Sequence, residues 1–393
     1  MSTALPELAD AERRADARGA VQSVILSLLD RIEALVRAWL TPERLHALSA
    51  SRLARPIARS SARAVFDVVA GFTHSQVLVA LVRLGIVECL AHGTATVDAL
   101  AAAKGLPEAR MRLLLDAGVA IEVLHRRFDG TYTTTIAGRA IQGDPGVLAM
   151  IEHNQLLYRD LVDPLRLLRG EGQTELSGFW PYDGDGERAA LEDPEARRYS
   201  DLMAASQSFI AHEILDAVDF SRRRRLLDVG GGTGAFVEAV GARHPHLELA
   251  LADLPAVAHA AGERLAATAV GARVQCHGVD FFADELPIGA DLVSLVRILH
   301  DHDDAQAMQL LRAVRRALPS GGTLLLAEPM RGEPGAERIG DVYFPLYFLA
   351  MGRGRARSRA EIVEMCREAG FERFAHPTTH VPLQTSVILA DTG

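Results

Sequence analysis

The chain has 393 residues, enough for two domains with an ample core. Lys and Arg number 42 against 51 Asp and Glu, a formal net charge of −9, which argues against nucleic acid as a main partner. Three isolated cysteines, Cys89, Cys276 and Cys366, show neither metal-ligand spacing nor a disulfide framework, as suits a reducing cytoplasm.

Residues 1–20 carry scattered charges and no apolar run, so no secretory signal is expected. The longest apolar tracts, such as 75–91, are broken by Arg83 and too short to span a bilayer. Residues 1–63 read as an N-terminal helical extension. VQSVILSLLDRIEALVRAWL (21–40) has apolar residues at three-and-four spacing and ends before Thr41-Pro42. Arg52, Arg55, Arg59 and Arg63 follow without an acid among them, and a helix aligns them roughly along one side, though Pro56 can interrupt it. A solvated face accounts for them; peripheral contact with anionic lipid headgroups at the inner membrane is the sharper alternative.

Residues 64–142 read as a compact helical module with a small β-ribbon. HSQVLVALVRLGIVECL is an apolar-faced helix, and TVDALAAAKGLPEARMRLLLDAGVAIEVL follows as helix, glycine-containing turn and helix. Two Thr-rich runs around Asp129-Gly130 give a hairpin signal. The pattern is that of a winged helix. Its second helix mixes Arg110 and Arg112 with Glu108, Asp116 and Glu122 and is mostly apolar, which suits a second protein chain better than phosphate. A homodimer built by this module is therefore expected.

Residues 143–221 link the module to a glycine loop through MIEHNQLLYRDLVDPLRLLRG and ARRYSDLMAASQSFIAHEIL, both helical by period. Between them GFWPYDGDG gathers Trp180 and Tyr182, as a packed corner or as a pocket wall. From 222 to 393 strands and helices alternate, as a doubly wound α/β domain requires. Strands are expected over 226–229, 247–253, 272–282, 290–301 and 323–330, with two more in FERFAH and TSVILAD.

The organising stretch is RRRRLLDVGGGTGAFVEAVGARHP (222–245), where Gly230, Gly231, Gly232 and Gly234 separate a buried strand from a helix. Glycines there let the backbone bend sharply and let a nucleotide cofactor approach the main chain. Gly230, Gly232 and Ala235 also satisfy the dinucleotide pattern, so the loop alone leaves a nicotinamide cofactor open. Ligands in such sheets bind at the carboxyl ends of strands, and Asp228, Asp253, Asp280, Arg297, His300 and Glu328 all fall there. Asp253 can accept both hydrogen bonds of a ribose diol. Asp280-Phe281-Phe282 offers an acceptor beside a flat ring, a seat for adenine. Arg297 is a cation in an apolar run, and a bound carboxylate would account for it; a dinucleotide has none, whereas S-adenosylmethionine does. His300 is a general-base candidate because a neutral imidazole accepts protons near pH 7, and Glu328 can hold it by hydrogen bond. His300-Asp301-His302 does not converge as a metal site would, so no metal is expected.

LLDVGGGTG, ADLP, GVDFF, VRILHDHDD, LLLAEP and a late AGF together resemble the class I S-adenosylmethionine-dependent O-methyltransferases, in the branch with caffeate, hydroxyindole and polyketide enzymes. The resemblance covers 64–393. It implies a Rossmann-like domain of seven strands with the last antiparallel, a winged-helix dimerisation domain ahead of it, and S-adenosylmethionine as cofactor. It assigns cofactor contacts to Asp228, Gly230, Gly232, Gly234, Asp253, Leu254, Asp280, Phe281 and Arg297, the base to His300 and the orienting acid to Glu328. Met203 matches a methionine bordering the substrate, and His153, Trp180 and Tyr347 are the other expected pocket residues. The sequence departs from the pattern at His302, where the family has Trp, and at Ala356, where plant members have a second orienting glutamate. ARPIARSSARAVFDVVAGFTHSQVLVALVRLGI, MIEHNQLLYRDLVDPLRLLRG and GFWPY are most similar to the carotenoid-tailoring members of phototrophic bacteria, with bacteriochlorophyll-modifying and phenol- or polyketide-methylating enzymes as rivals. That resemblance implies methylation of the tertiary hydroxyl of a 1-hydroxycarotenoid. An apolar substrate also suits VYFPLYFLAMG (342–352). A relative that holds the cofactor without methylating, and a winged-helix regulator, are the other readings.

Overall fold

A computed structural model describes residues 55–178, 210–380 and 385–393, with isolated positions 31, 32, 34, 38, 41, 44 and 207 besides. The helix expected over 21–40, Arg52, the aromatic turn with Trp180, and Met203 thus lie outside the described residues, apart from isolated positions within that helix.

The first long element is helix α1, Arg55–Arg83, with Pro56 in its opening turn, where a missing N–H costs nothing. The expected single helix HSQVLVALVRLGIVECL is in fact two. Gly85 adopts φ +61, a left-handed conformation that ends α1 and starts α2, Ile86–Ala91. The chain divides into two compact units within α1, between Leu78 and Val79. Val65, Phe66, Val68, Val69 and Phe72 of α1 are exposed. Residues 59–83, with a mean hydropathy of 1.7, are long and apolar enough to cross a membrane. This corrects the expectation that Arg83 cuts the apolar tracts short, since the helix extends on its N-terminal side and Arg83 lies at its end.

Helices α3 (Val97–Lys104) and α4 (Glu108–Ala120) form the expected helix-turn-helix. Thr96 caps α3 by accepting the Ala99 amide, and Gly105 closes it at φ +66. Strands β1 (Leu124–Arg126) and β2 (Tyr132–Thr134) pair antiparallel around Asp129-Gly130. The Tyr132 hydroxyl ties the ribbon to α4 by donating to Asp116 at 2.6 Å. Helices α5 (Ile136–Gly143), α6 (Pro145–Asp160), α7 (Pro164–Leu168) and α8 (Glu175–Gly178) follow.

The remainder is one seven-stranded sheet of order β5-β4-β3-β6-β7-β9-β8. Its strands are β3 Arg225–Val229, β4 Glu248–Asp253, β5 Val274–Gly278, β6 Leu292–Val296, β7 Thr323–Glu328, β8 Arg373–Ala375 and β9 Ser386–Asp391. β9 runs antiparallel to both β7 and β8, so it alone is reversed in an otherwise parallel sheet. β6 and β7 are buried at every position because both sheet faces are covered. Leu227, Val229, Val293, Leu295, Leu324 and Leu326 pack on one face; Leu226, Leu292, Val296, Leu325 and Ala327 pack on the other. Helices α9 (Ala235–Arg243), α10 (Pro255–Ala266), α11 (Asp304–Ala317), α12 (Phe344–Met351) and α13 (Arg359–Glu368) complete the domain. A π-helical stretch, Arg338–Tyr343, leads into α12. The third and fourth expected strands end earlier than their apolar runs. Residues 280–282 turn away, and a 3₁₀ turn at Leu299–Asp301 follows β6.

Candidate active site

The sheet delivers its acids to one edge. Gly230, Gly232 and Gly234 have φ of +72, +55 and +79, which no other residue type adopts cheaply in succession. A Cβ on Gly230 would stand 2.5 Å from Ile298, whereas a Cβ on Gly232 would meet nothing within 4 Å. The loop is thus tight on its protein side and open at Gly232. Asp253, at the end of β4, accepts the Gly232 amide through Oδ2 and the Leu254 amide through Oδ1, both at 2.8 Å. This fixes its carboxylate beside the open glycine. Asp228 lies beneath the loop, accepting from the Ser294 hydroxyl at 2.6 Å. Burial pushes its pKa up to about 7, and the Asp253 charge pushes the same way. Asp280 lies two residues beyond β5 rather than at the strand end, and its Oδ1 accepts the Phe282 amide at 2.9 Å. The His302 ring stands edge-on to Phe281 and Phe282, with centroids at 5.8 and 5.0 Å. An open glycine, a fixed carboxylate and an aromatic cluster in sequence along the strand ends fit an adenosyl group.

His300 sits on the 3₁₀ turn after β6, 4% exposed. Its Nε2 faces Asp301 Oδ1 at 3.3 Å, and its Nδ1 is buried without a hydrogen-bond partner among the described residues. Burial drives its pKa well below the ordinary value, with Arg297, His302 and Arg357 adding in that order, so the ring is neutral. With Nε2–H directed at Asp301, Nδ1 keeps its lone pair for an incoming proton.

Glu328 does not hold the ring as expected. Its Oε1 accepts the main-chain N–H of His300 at 3.1 Å, and the Leu299 and Ile298 amides also favour its charged form. Burial lifts its pKa to about 7, opposed by Arg357 and these amides. Glu328 therefore anchors the turn, and the carboxylate beside the imidazole is Asp301. Burial raises Asp301 well above the usual carboxylate range, and Arg297 pulls it back down. Arg297, just past β6, has φ +60, a strained conformation for a side chain with a Cβ. Its charge acts on His153, His300, Asp301, Tyr343 and Tyr347.

The wall opposite comes from α6 and α12. His153 Nε2 and the Tyr347 hydroxyl are 2.9 Å apart, and the Tyr343 hydroxyl donates to Asn154 at 2.8 Å. Burial holds His153 down to about 4, with Arg297 adding, and raises both tyrosines. Phe344, Phe348 and the His300 ring form a row with centroid spacings of 5.8 and 4.8 Å. Leu157, Leu167, Leu176, Met351 and Ala356 pack behind it. Ala356, where plant relatives place a glutamate, is buried in this apolar cluster and offers the ring no acid. The His300 ring therefore faces an aromatic wall.

Sequence reasoning missed Asp301 as ring partner, and Ser294, Tyr343, Asn154 and Arg357. The nearest available signal for Arg357 was the Ser358-x-x-Glu361 capping box beside it, which marks the start of α13. Among the described residues no cluster of three or more His, Cys, Asp or Glu could hold a metal.

An O-methyltransferase domain family matches residues 158–372, and an O-methyltransferase dimerisation domain matches 66–141. The chain is 48% identical over 317 residues to a demethylspheroidene O-methyltransferase of Cereibacter sphaeroides, covering 81% of this chain and 83% of that one. A second demethylspheroidene O-methyltransferase, from Rhodobacter capsulatus, is 40% identical over 337 residues, covering 86% and 84%. The crystal structure of human N-acetylserotonin methyltransferase in complex with SAM superposes with a TM-score of 0.69 at 26% identity, covering 85% of this chain and 98% of that one.

Proposed function

This chain belongs to the O-methyltransferase family, with that family's dimerisation domain ahead of its catalytic domain, and from that premise we propose that it methylates the tertiary hydroxyl of a 1-hydroxycarotenoid with His300 as general base. The similarity to the two demethylspheroidene O-methyltransferases supports the substrate. The observation that carries the mechanism is the buried, unpartnered Nδ1 of a neutral His300 against an apolar wall. S-adenosylmethionine, when bound, supplies an electrophilic methyl group on a sulfonium.

The chain's own residues do the rest. The loop Gly230–Gly234 with Asp228, Asp253 and Leu254 holds the ribose end, Asp280 and Phe281 take the adenine, and Arg297 serves a carboxylate. Phe344 and Phe348 lay the acceptor's apolar chain along the row that ends at His300, with His153 and Tyr347 closing the wall and Trp180 and Met203 assigned to the same pocket. An aliphatic hydroxyl is too weak an acid for histidine to ionise outright. Nδ1 therefore takes its proton as the methyl group transfers, and Asp301 stabilises the imidazolium that forms. Excluding water keeps each of these interactions strong.

In the same reading residues 222–393 bind cofactor, 64–142 pair two copies, 143–221 complete the pocket and 1–63 extend the N-terminus. The enzyme works in the cytoplasm, touching anionic lipid at the inner membrane through Arg52, Arg55, Arg59 and Arg63. The exposed Arg59 and Arg63, one turn apart on α1, support that contact. The test is purified enzyme with labelled S-adenosylmethionine and a panel of 1-hydroxycarotenoids, bacteriochlorophyll precursors and phenols. Label in the carotenoid ether supports the assignment; label only in phenols overturns it.

A further inference from the structure

We infer that Arg357 is a positioning residue for the methyl transfer, clamping the main chain of the His300 turn so that the imidazole is aimed through its backbone. The inference rests on the reading of His300 as the base.

The Arg357 side chain has no exposed surface, although a guanidinium is costly to bury. Its donors go to the turn on either side of His300. Nη1 donates to the Leu299 carbonyl at 2.8 Å and Nη2 to the His302 carbonyl at 2.9 Å. Nε and Nη2 donate to Asp304 Oδ1 at 3.0 and 2.8 Å, which ties the turn to the first residue of α11. The carbonyl between them is held by the same strap, since the Arg355 amide donates to His300 O at 2.9 Å. Gly354 is pressed so close that a Cβ there would lie 2.1 Å from that oxygen. Glu328 accepts the His300 amide of the same turn at 3.1 Å.

The turn is therefore gripped by its carbonyls and by the His300 amide, by residues of the strap before α13 and of β7. Of the ring's two nitrogens only Nε2 faces a polar partner among the described residues, Asp301, and Phe348 packs against the ring. An aliphatic residue at 357 would fill the same space without the charge. What only the planar fork supplies is simultaneous donation to two carbonyls and a carboxylate. Small misplacements of a reacting group cost activity steeply, which gives such a clamp its value.

The experiment compares wild type, Arg357→Met, Arg357→Lys, Asp304→Asn and His300→Ala as full-length enzymes, well below their melting temperatures. Saturating kcat, calorimetric affinity for S-adenosylhomocysteine and amide exchange of the 298–303 peptide are measured for each. Arg357→Met should lower kcat about 10²-fold, following the steep cost of misplacement. Its affinity for S-adenosylhomocysteine should stay within about threefold, because Asp253 and the glycine loop lie on other strands. Exchange over 298–303 should quicken. Arg357→Lys should recover about tenfold of the kcat, since an ammonium can keep one carbonyl but not the fork. Asp304→Asn alters an exposed partner, so it folds even if Arg357→Met does not, and it should cost about three- to tenfold in kcat.

A folded Arg357→Met, or Asp304→Asn where that is the folded variant, with kcat within twofold of wild type overturns the inference. So does a kcat loss matched by an equal loss of S-adenosylhomocysteine affinity, which is general damage to the domain. An active His300→Ala overturns the reading of the base itself, whatever Arg357 does; an inactive His300→Ala with a fully active Arg357→Met overturns the clamp alone.

Discussion

Replacing His302 by Phe should make the protein more stable in acid and leave its stability near pH 8 almost unchanged. The His302 ring lies edge-on to Phe281 and Phe282, and burial lowers its pKa from 6.5 to about 4, with Arg357 adding and Asp303 opposing. A base whose folded pKa is depressed gives its full stability above the unfolded pKa and loses it as pH falls toward the folded one. The window here is pH 6.5 down to 4. At pH 5 the unfolded chain is almost fully protonated at this site and the folded chain is not, a penalty of about 2 kcal/mol; at pH 6.5 it is about 0.4 kcal/mol. Phenylalanine fits the aromatic niche and has no proton to take up. His153 does not feel His302 and cancels in the comparison, whereas His300, which His302 helps hold down, is relieved in the mutant and shifts stability in the same direction. Urea unfolding of wild type and His302→Phe at pH 5, 6.5 and 8 reads the difference directly. The mutant should gain about 2 kcal/mol at pH 5 relative to its effect at pH 8. A mutational effect that is the same at pH 5 and pH 8 refutes the reasoning, because the ring would then not be held neutral.

Asp253→Ala should weaken S-adenosylhomocysteine by about 1.5–3 kcal/mol, as a charge-assisted pair to the ribose is lost; unchanged affinity by calorimetry, or tight NAD binding by wild type, contradicts the assignment. The exposed row Val65, Phe66, Val68, Val69 and Phe72 on α1 lies at the start of the matched dimerisation domain. Sedimentation should therefore give a homodimer at micromolar concentration, and Phe66→Asp with Val69→Asp should shift it to monomer; a stable wild-type monomer contradicts this.

Where local chemistry decides the structure, the sequence was readable. Glycines 230, 232 and 234 between an apolar strand and an amphipathic helix marked the loop, and each has the positive φ that glycine supplies. Apolar runs marked the parallel strands because both faces of that sheet are buried. Their ends were less legible. The run over 290–301 continues past the point where β6 stops, because Leu299 of the following 3₁₀ turn is itself buried. Gly85 was passed over inside an apolar period, although its left-handed conformation breaks the helix there.

The site was legible as a set of residues and much less as a set of bonds. Glu328 comes to His300, yet it bonds the main chain, and nothing in a one-dimensional pattern separates a ring partner from an amide partner. Arg357 stands among Arg353, Arg355 and Arg359, where an arginine-rich stretch reads as a solvated surface. Its burial follows from the strap folding over the His300 turn, a contact between segments more than 50 positions apart. Ala356 is the reverse case. The missing glutamate was visible in the sequence, and the structure shows an apolar cluster in its place.

The central claim is that His300 removes the acceptor's proton during methyl transfer. Single-turnover methylation of a 1-hydroxycarotenoid from pH 6 to 10, wild type against His300→Ala, tests it most directly. The account predicts a loss of about 10²–10⁴-fold at every pH, with S-adenosylhomocysteine affinity intact. A phenol offered to the mutant should recover as pH rises toward 10, where it ionises without help. A His300→Ala enzyme that keeps most of its turnover on the tertiary alcohol contradicts the mechanism.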